Sequence, residues 1–187
     1  NLDNSVIIDI GANVGTITMF MISQGAKKIY SFEPGPLFRD LSDNLIMNNL
    51  QEKVDAIQLG LSDTETKLKW AEDQNNKGNA HLIENFDQLD LTKHRTNFGD
   101  KSLLKEVNVT TLDKYFSEEN NLEKLDFIKI DVEGLEWKVI KGGKELIKKF
   151  RPTIVAETHR GVSDMFRYDC VTPIFEFLYS LNYESYS

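Results

Sequence analysis

The stretch VIIDIGANVG, residues 6–15, joins an apolar run to one carboxylate and two glycines. Its first half, Val6 to Ile10, is β-branched and apolar apart from Asp9, which predicts a buried strand of a parallel sheet. Gly11 and Gly15 then allow a tight turn, and the apolar residues that follow recur at helical spacing. The stretch therefore predicts a strand, a glycine turn and the start of a helix.

The same alternation continues along the chain. Further strands are predicted at residues 28–32, 54–63, 66–72, 107–110, 125–131 and 152–159, with a last one beginning at 183–187. Helices are predicted at residues 14–23, 37–49, 112–116, 133–150 with a break near Gly142, and 172–181. Residues 73–105 are polar and are predicted to form a long irregular surface excursion. Alternating strands and helices predict an α/β fold, a mostly parallel sheet with helices on both faces.

Composition and charge narrow the possible partners. The 187 residues suit a single domain, residues 1–187, and the start at Asn1 just before the first strand predicts a domain of a longer parent chain. The net charge of -8 disfavours general binding of nucleic acid. A single cysteine favours a reducing, cytoplasmic location, and no apolar run approaches the roughly 20 residues that cross a bilayer.

The glycine turn and a second acid predict a nucleoside-containing cofactor. Ligands of open parallel sheets bind beyond the carboxyl ends of the strands. Glu33 ends the second predicted strand, where an acid can accept hydrogen bonds from both ribose hydroxyls. The alternative is that Gly11 and Gly15 only permit a tight connection and that Glu33 is an ordinary surface acid.

The turn favours S-adenosylmethionine over NAD. A dinucleotide fingerprint requires G-x-G-x-x-G, but Asn13 and Thr16 stand at its second and third glycine positions. Their side chains would crowd a pyrophosphate. Asp9, just before the turn, is placed to bind a cationic amine. S-adenosylmethionine has an ammonium group and a sulfonium and carries no phosphate, so an acidic turn suits it better.

Six motifs follow one another along the chain: DIGANVG (9–15), FEPGP (32–36), LSD (61–63), VTTLDKYF (109–116), IKIDVEGLEWKVIKGG (128–143) and RPTIVAETH (151–159). Together they resemble the FkbM-type S-adenosylmethionine-dependent methyltransferases, over roughly residues 5 to 160. The resemblance implies a Rossmann-like class I methyltransferase fold and methylation of an oxygen of a small molecule or a glycan.

The resemblance also implies a set of cofactor contacts, which divides by the part of the cofactor concerned. The methionine portion would lie against Asp9, Gly11, Asn13 and Gly15. The ribose would meet Glu33, and the adenine amine would meet Asp63. The neighbouring residues Ala12, Pro34 and Ser62 are also predicted to bind the cofactor. An equally good interpretation of Asp63 is a turn-forming residue.

Catalytic residues are expected at the ends of the next two strands. Asp131 breaks the alternation of its strand at the ligand-facing edge and is the first candidate for contact with cofactor or acceptor. Glu133 either serves as a general base or caps the following helix. His159 is an alternative base, at a strand end that also carries Glu157. These four residues lack metal-ligand spacing, so no metal site is predicted.

Two other classes of function remain open. A nicotinamide-dependent oxidoreductase or epimerase would carry G-x-G-x-x-G and, in the short-chain group, Tyr-x-x-x-Lys; neither is present. A non-catalytic binding module could keep the same fold.

Overall fold

In the computed structural model, the described residues are 2–73, 76–83, 105–117, 121–157 and 171–186. The strands in these ranges are β1 (Val6–Ile10), β2 (Lys28–Phe32), β3 (Val54–Ile57), β4 (Gly60–Leu61), β5 (Thr66–Asp73), β6 (Asn76–Ile83), β7 (Lys105–Thr110), β8 (Phe127–Ile130) and β9 (Thr153–Ala156). The helices are α1 (Thr16–Ser23), α2 (Phe38–Met47), α3 (Leu112–Tyr115), α4 (Glu136–Gly142), α5 (Lys144–Phe150) and α6 (Val171–Ser180).

A five-stranded parallel sheet forms the centre of the fold, in the order β3-β2-β1-β8-β9. The chain builds outward from β1 to β3 on one side and then returns to place β8 and β9 on the other. The order therefore reverses between β1 and β8, and such a switch point leaves a crevice beyond the carboxyl ends of the strands. The predicted parallel α/β sheet is confirmed.

Apolar side chains cover both faces of this sheet. Ile7 and Ile29 point to one face and pack against α1 and α2. Ile8 and Ile128 point to the other face and pack against residues of α3 to α6. Because these strands are covered on both faces, their sequences are nearly continuous apolar runs. The predicted placement of helices on both faces is confirmed.

A second sheet of four strands, in the order β4-β7-β5-β6, changes the prediction for residues 73–105. Residues 76–83 form a strand that pairs antiparallel with β5, with Trp70 opposite Leu82. The prediction of an irregular excursion was therefore wrong for residues 76–83. Asn and Gly disfavour strands locally, and within the described part of the chain β6 is stabilised by its pairing with β5 and by the burial of Leu82. Residues 84–104 lie outside the described residues.

Other boundaries differ in smaller ways. The predicted strand at 54–63 is two strands, β3 and β4, and residues 183–186 form no strand. The predicted break near Gly142 is confirmed, because α4 ends there and α5 follows. A Cβ on Gly142 would lie 2.0 Å from the carbonyl oxygen of Ser62, so this close packing requires glycine. Thr111 caps α3 by accepting a hydrogen bond from the backbone N–H of Lys114 at 3.1 Å.

Within the described ranges, no helix has both the length and the hydrophobicity that crossing a bilayer would demand.

The central strands should contribute most to stability. Ile128 is 0% exposed at the middle of the sheet, whereas Ile46 on α2 is 55% exposed. We expect Ile128→Ala to lower the free energy of unfolding by about 2–5 kcal/mol, through lost burial and the cavity left behind. The matched variant Ile46→Ala should change it by less than about 0.5 kcal/mol. Urea denaturation measures both, and equal effects would contradict the described packing.

Candidate active site

The glycine turn after β1 lies at the switch point of the sheet. Gly11, Asn13 and Gly15 all have positive φ, at 75°, 54° and 88°. The backbone N–H groups of Gly11 and Ala12 both donate to the carbonyl oxygen of Phe32 at 3.0 Å. These bonds hold the turn against the end of β2.

Gly11 also packs against the loop after β8. A Cβ at this position would lie 1.9 Å from the carbonyl oxygen of Asp131. The positive φ favours glycine, and this contact requires it. Gly11 is therefore needed so that the turn can pack against the backbone of the loop after β8, independently of any ligand.

Glu33 joins the turn to the loop after β2. Its carboxylate is 3% exposed and accepts two backbone hydrogen bonds, from Asn13 at 3.0 Å and from Gly35 at 2.9 Å. Burial raises the pKa of Glu33 above 4.5, against the lowering effect of the two hydrogen bonds. Each carboxylate oxygen can accept more than one hydrogen bond, so Glu33 keeps the capacity to bind ligand hydroxyls.

Asp9 lies beneath the turn and is 0% exposed. Its Oδ2 accepts a hydrogen bond from the Thr18 hydroxyl at 2.5 Å, and the Nζ of Lys129 lies 3.4 Å from its Oδ1. Burial raises the pKa of Asp9, while the charge of Lys129 and the hydrogen bond from Thr18 act to lower it. The side chain offers no exposed surface, and its predicted contact with the cofactor amine stays a prediction.

Lys129 is a site residue that the sequence analysis missed. It stands on β8 next to Asp9 on β1, and its Nζ donates to the carbonyl oxygen of Gly11 at 2.8 Å. The same Nζ lies 3.4 Å from Oδ2 of Asp131. Alternate residues of a strand share a face, so the Lys-x-Asp spacing already indicated that Lys129 and Asp131 lie on one side.

A pocket of about 110 Å³ opens at the carboxyl ends of β1, β2 and β8. Six of the predicted site residues line it: Gly11, Asn13, Glu33, Pro34, Asp131 and Glu133. The other lining residues are apolar: Leu37, Trp70, Leu82 and Val132. Among the described lining residues, three are acids and none is basic. The structure thus brings the acids that follow β2 and β8 to the same pocket.

The second sheet supplies one wall of this pocket, which the sequence did not predict. Trp70 and Leu82 are paired across β5 and β6 and both are buried. Trp70 packs on Gly35, where a Cβ would lie 2.1 Å from the indole ring. The partial alternation of residues 66–72 was a signal for Trp70. Leu82 had no such signal, because it lies in a largely polar stretch of the sequence and its strand depends on pairing with β5.

The remaining predicted cofactor residues lie outside the pocket lining. Ala12 is buried within the turn, and Gly15 packs on Leu41, whose Cδ1 would lie 2.6 Å from an added Cβ. Ser62 is buried. Ligand pockets usually enclose about 300–1,000 Å³, so a nucleoside cofactor would extend beyond the enclosed volume.

Asp63 is paired with a lysine of α4. Its Oδ2 accepts from the Nζ of Lys141 at 2.7 Å. Partial burial acts to raise the pKa of Asp63, but the hydrogen bond and charge of Lys141, with the charge of Lys138, lower it below 3.8. The predicted contact of Asp63 with adenine and the predicted cofactor contact of Ser62 stay predictions.

Three acids meet where β8 and β9 end. Asp131, Glu133 and Glu157 each place one oxygen so that the three lie within 4.8 Å of one another. Glu133 reaches this position with a φ of 55°, in the left-handed region. His159 lies outside the described residues, and both its role as a base and the predicted absence of a metal stay predictions.

A larger hollow of about 470 Å³ lies between α3 and α5. Its lining residues are Asp113, Lys114, Phe116, Ser117, Glu145, Leu146, Lys149 and Phe150. It contains none of the predicted site residues and lies away from the switch point, so the smaller pocket is the candidate active site.

Comparison with known proteins gives a family model and individual relatives. The family model described as "Methyltransferase FkbM domain" matches residues 9–184. Methyltransferase sdnD of Sordaria araneosa is 32% identical, over 83% of this chain and 66% of that protein. Methyltransferase 1 of Beauveria bassiana is 29% identical, over 75% of this chain and 59% of that protein. The chain thus spans about two-thirds or less of these relatives.

A solved structure supports the fold. The crystal structure of the methyltransferase FkbM from Methylobacillus flagellatus superposes with a TM-score of 0.55 and 16% sequence identity. The match covers 83% of this chain and 33% of that one. At this identity the likeness concerns the fold alone, and it agrees with the Rossmann-like prediction.

The raised pKa of Asp9, caused mainly by burial, predicts a pH dependence of stability. The folded protein binds this proton more tightly than the unfolded chain does. The free energy of unfolding should therefore fall as the pH rises above 3.8, until the pH passes the folded pKa. Asp9→Asn removes this titration, so its stability relative to the wild type should improve across that interval. Urea denaturation from acid to neutral pH measures the difference, and a difference independent of pH would contradict the prediction.

Proposed function

The chain belongs to the FkbM methyltransferase family, and from this premise we propose that it transfers a methyl group from S-adenosylmethionine to an oxygen of a small molecule or a glycan. The observation that carries the proposal is the charge of the pocket at the switch point. Glu33, Asp131 and Glu133 line it, without a basic residue among the described lining. Opposite charges attract most strongly in such partly buried sites.

The donor set suits this cofactor better than a dinucleotide. An acidic pocket favours a ligand with an ammonium group and a sulfonium, and it repels a pyrophosphate. Asn13 and Thr16 stand where a dinucleotide site needs glycine. A nicotinamide enzyme is therefore the weaker candidate. A non-catalytic module that only binds the cofactor is separated from an enzyme by measuring turnover.

The loops after β1 and β2 would hold the nucleoside. Glu33 would accept the ribose hydroxyls on the lone pairs that Asn13 and Gly35 leave available. Pro34 and Leu37 would pack against the adenosine from the side. Asp63 would accept the adenine amine on the lone pairs that its ion pair with Lys141 leaves available.

The acids after β8 would act on the acceptor. S-adenosylmethionine, when bound, supplies a methyl group bonded to a positively charged sulfur, and this sulfur is a good leaving group. The chain's own task is to align the acceptor hydroxyl and to take its proton as the oxygen–carbon bond forms. The carboxylate of Asp131 is 40% exposed and lines the pocket, so it is the first candidate for this proton. Glu133 and His159 are the alternative bases.

The nature of the methyl acceptor, the role of further parts of the parent protein and the cellular location also belong to the proposal. The matched relatives are longer than this chain, so further parts of the parent protein would contribute to acceptor choice. The apolar wall of Trp70 and Leu82 favours an acceptor with an apolar surface beside its hydroxyl. The single cysteine of the chain supports a reducing, cytoplasmic location.

Glu33 provides the test for the cofactor. Glu33→Gln turns an amide N–H₂ towards one of the two backbone donors and weakens the ribose site. We expect it to raise the Kd for S-adenosylmethionine about tenfold, the cost of one charge-assisted hydrogen bond. Isothermal titration measures the Kd, with Asp40→Asn on the exposed surface of α2 as the control that should bind normally. Wild-type protein that bound NAD and not S-adenosylmethionine would refute the proposal.

Asp131 provides the test for the reaction. Acceptors are first screened with radiolabelled methyl donor on the full-length parent protein. With an active acceptor, Asp131→Asn should lower kcat about 100-fold, as expected when a general base is lost. His159→Ala is compared in parallel, and Asp40→Asn is again the control. If neither Asp131→Asn nor His159→Ala slows turnover, the assignment of the base is wrong.

A further inference from the structure

We propose that Lys129 is a positioning residue of the cofactor pocket, which fixes the glycine turn from the β8 side through the carbonyl oxygen of Gly11. The proposal rests on the proposed function only where cofactor affinity is the readout. It concerns the shape of the turn, which exists before any ligand binds.

Lys129 is a cation in the middle of the sheet. Its side chain is 14% exposed, on a strand that has β1 on one side and β9 on the other. Removing an ammonium group from water is costly unless its N–H donors find acceptors. The position of Lys129 therefore depends on its partners, and these partners lie at the turn.

The distances rank these partners. The Nζ of Lys129 lies 2.8 Å from the carbonyl oxygen of Gly11, which is a normal hydrogen bond. Its distances to the nearest oxygens of Asp9 and Asp131 are both 3.4 Å, longer than a well-formed hydrogen bond. The two carboxylates thus neutralise the ammonium, while its shortest hydrogen bond, to the Gly11 carbonyl, holds the turn.

The other bonds of the turn lead to β2. Gly11 and Ala12 donate to the carbonyl oxygen of Phe32, and Asn13 donates to Glu33. Lys129 binds the same turn from β8, on the opposite side of β1. A turn held on both sides keeps the N–H of Asn13 aimed at Glu33, and this geometry shapes the ribose end of the pocket.

A purely electrostatic role is the competing explanation. In that case Lys129 would only neutralise the buried charge of Asp9, and removing both charges together would restore a normal turn. In our proposal the hydrogen bond to the Gly11 carbonyl is lost whether Lys129 is replaced alone or together with Asp9. The double variant Asp9→Asn with Lys129→Met separates the two explanations, because neutral side chains of similar size replace both ions.

The experiment compares Lys129→Met, Asp9→Asn, the double variant and Lys28→Met. Lys28 is a matched control on β2, since its Nζ also binds a carboxylate, Asp55 at 2.7 Å, and a backbone carbonyl, Glu52 at 3.3 Å. Hydrogen exchange of the Asn13 amide is measured by NMR without ligand. The Kd for S-adenosylmethionine is measured by isothermal titration.

We expect Lys129→Met and the double variant to speed exchange of the Asn13 amide about tenfold and to raise the Kd about tenfold. Lys28→Met should change neither value. Wild-type exchange of the Asn13 amide in the double variant would overturn the proposal, and so would wild-type exchange of this amide in Lys129→Met. If Lys129→Met does not fold, the double variant decides alone. If wild-type protein does not bind the cofactor, the proposed function fails, and exchange at Asn13 still decides the role of Lys129.

Discussion

The two backbone hydrogen bonds accepted by Glu33 determine the geometry of the whole site. They join the loop after β1, through Asn13, to the loop after β2, through Gly35. The candidate cofactor pocket lies between these loops, so its width depends on one buried carboxylate. The contact of Gly11 with the carbonyl of Asp131 adds the loop after β8 to the same unit. Three strand ends therefore act together, although their residues lie far apart in the chain.

Charge is the second constraint on this site. Burial raises the pKa values of both Asp9 and Glu33. Keeping these two carboxyl groups ionised in the folded protein at neutral pH therefore costs free energy. A network of hydrogen bonds and the ammonium of Lys129 offset part of that cost. Sites that keep buried acids against such a cost are frequently functional ones. The acidic pocket and the family membership therefore support the same class of cofactor.

The second sheet gives the pocket its apolar side. The pairing of β5 with β6 places Leu82 beside Trp70, and both line the pocket together with its acids. The pocket thus combines a charged wall from the parallel sheet with an apolar wall from the antiparallel strands β5 and β6. Under the proposed function, the acidic wall would attract the positively charged cofactor and the apolar wall would contact the acceptor beside it.

The sequence by itself determined the parallel sheet, the glycine turn and the acids at the strand ends. These features are local: apolar runs predict buried strands, glycines permit the turn, and strand ends of one sheet meet at one edge. Only the tertiary structure decided that Asp9 lies beneath the turn, that Lys129 donates a hydrogen bond to the turn, and that β6 forms part of the pocket wall. Each of these depends on contacts between distant segments, and no local pattern encodes which partner a buried polar group or a weak strand will find.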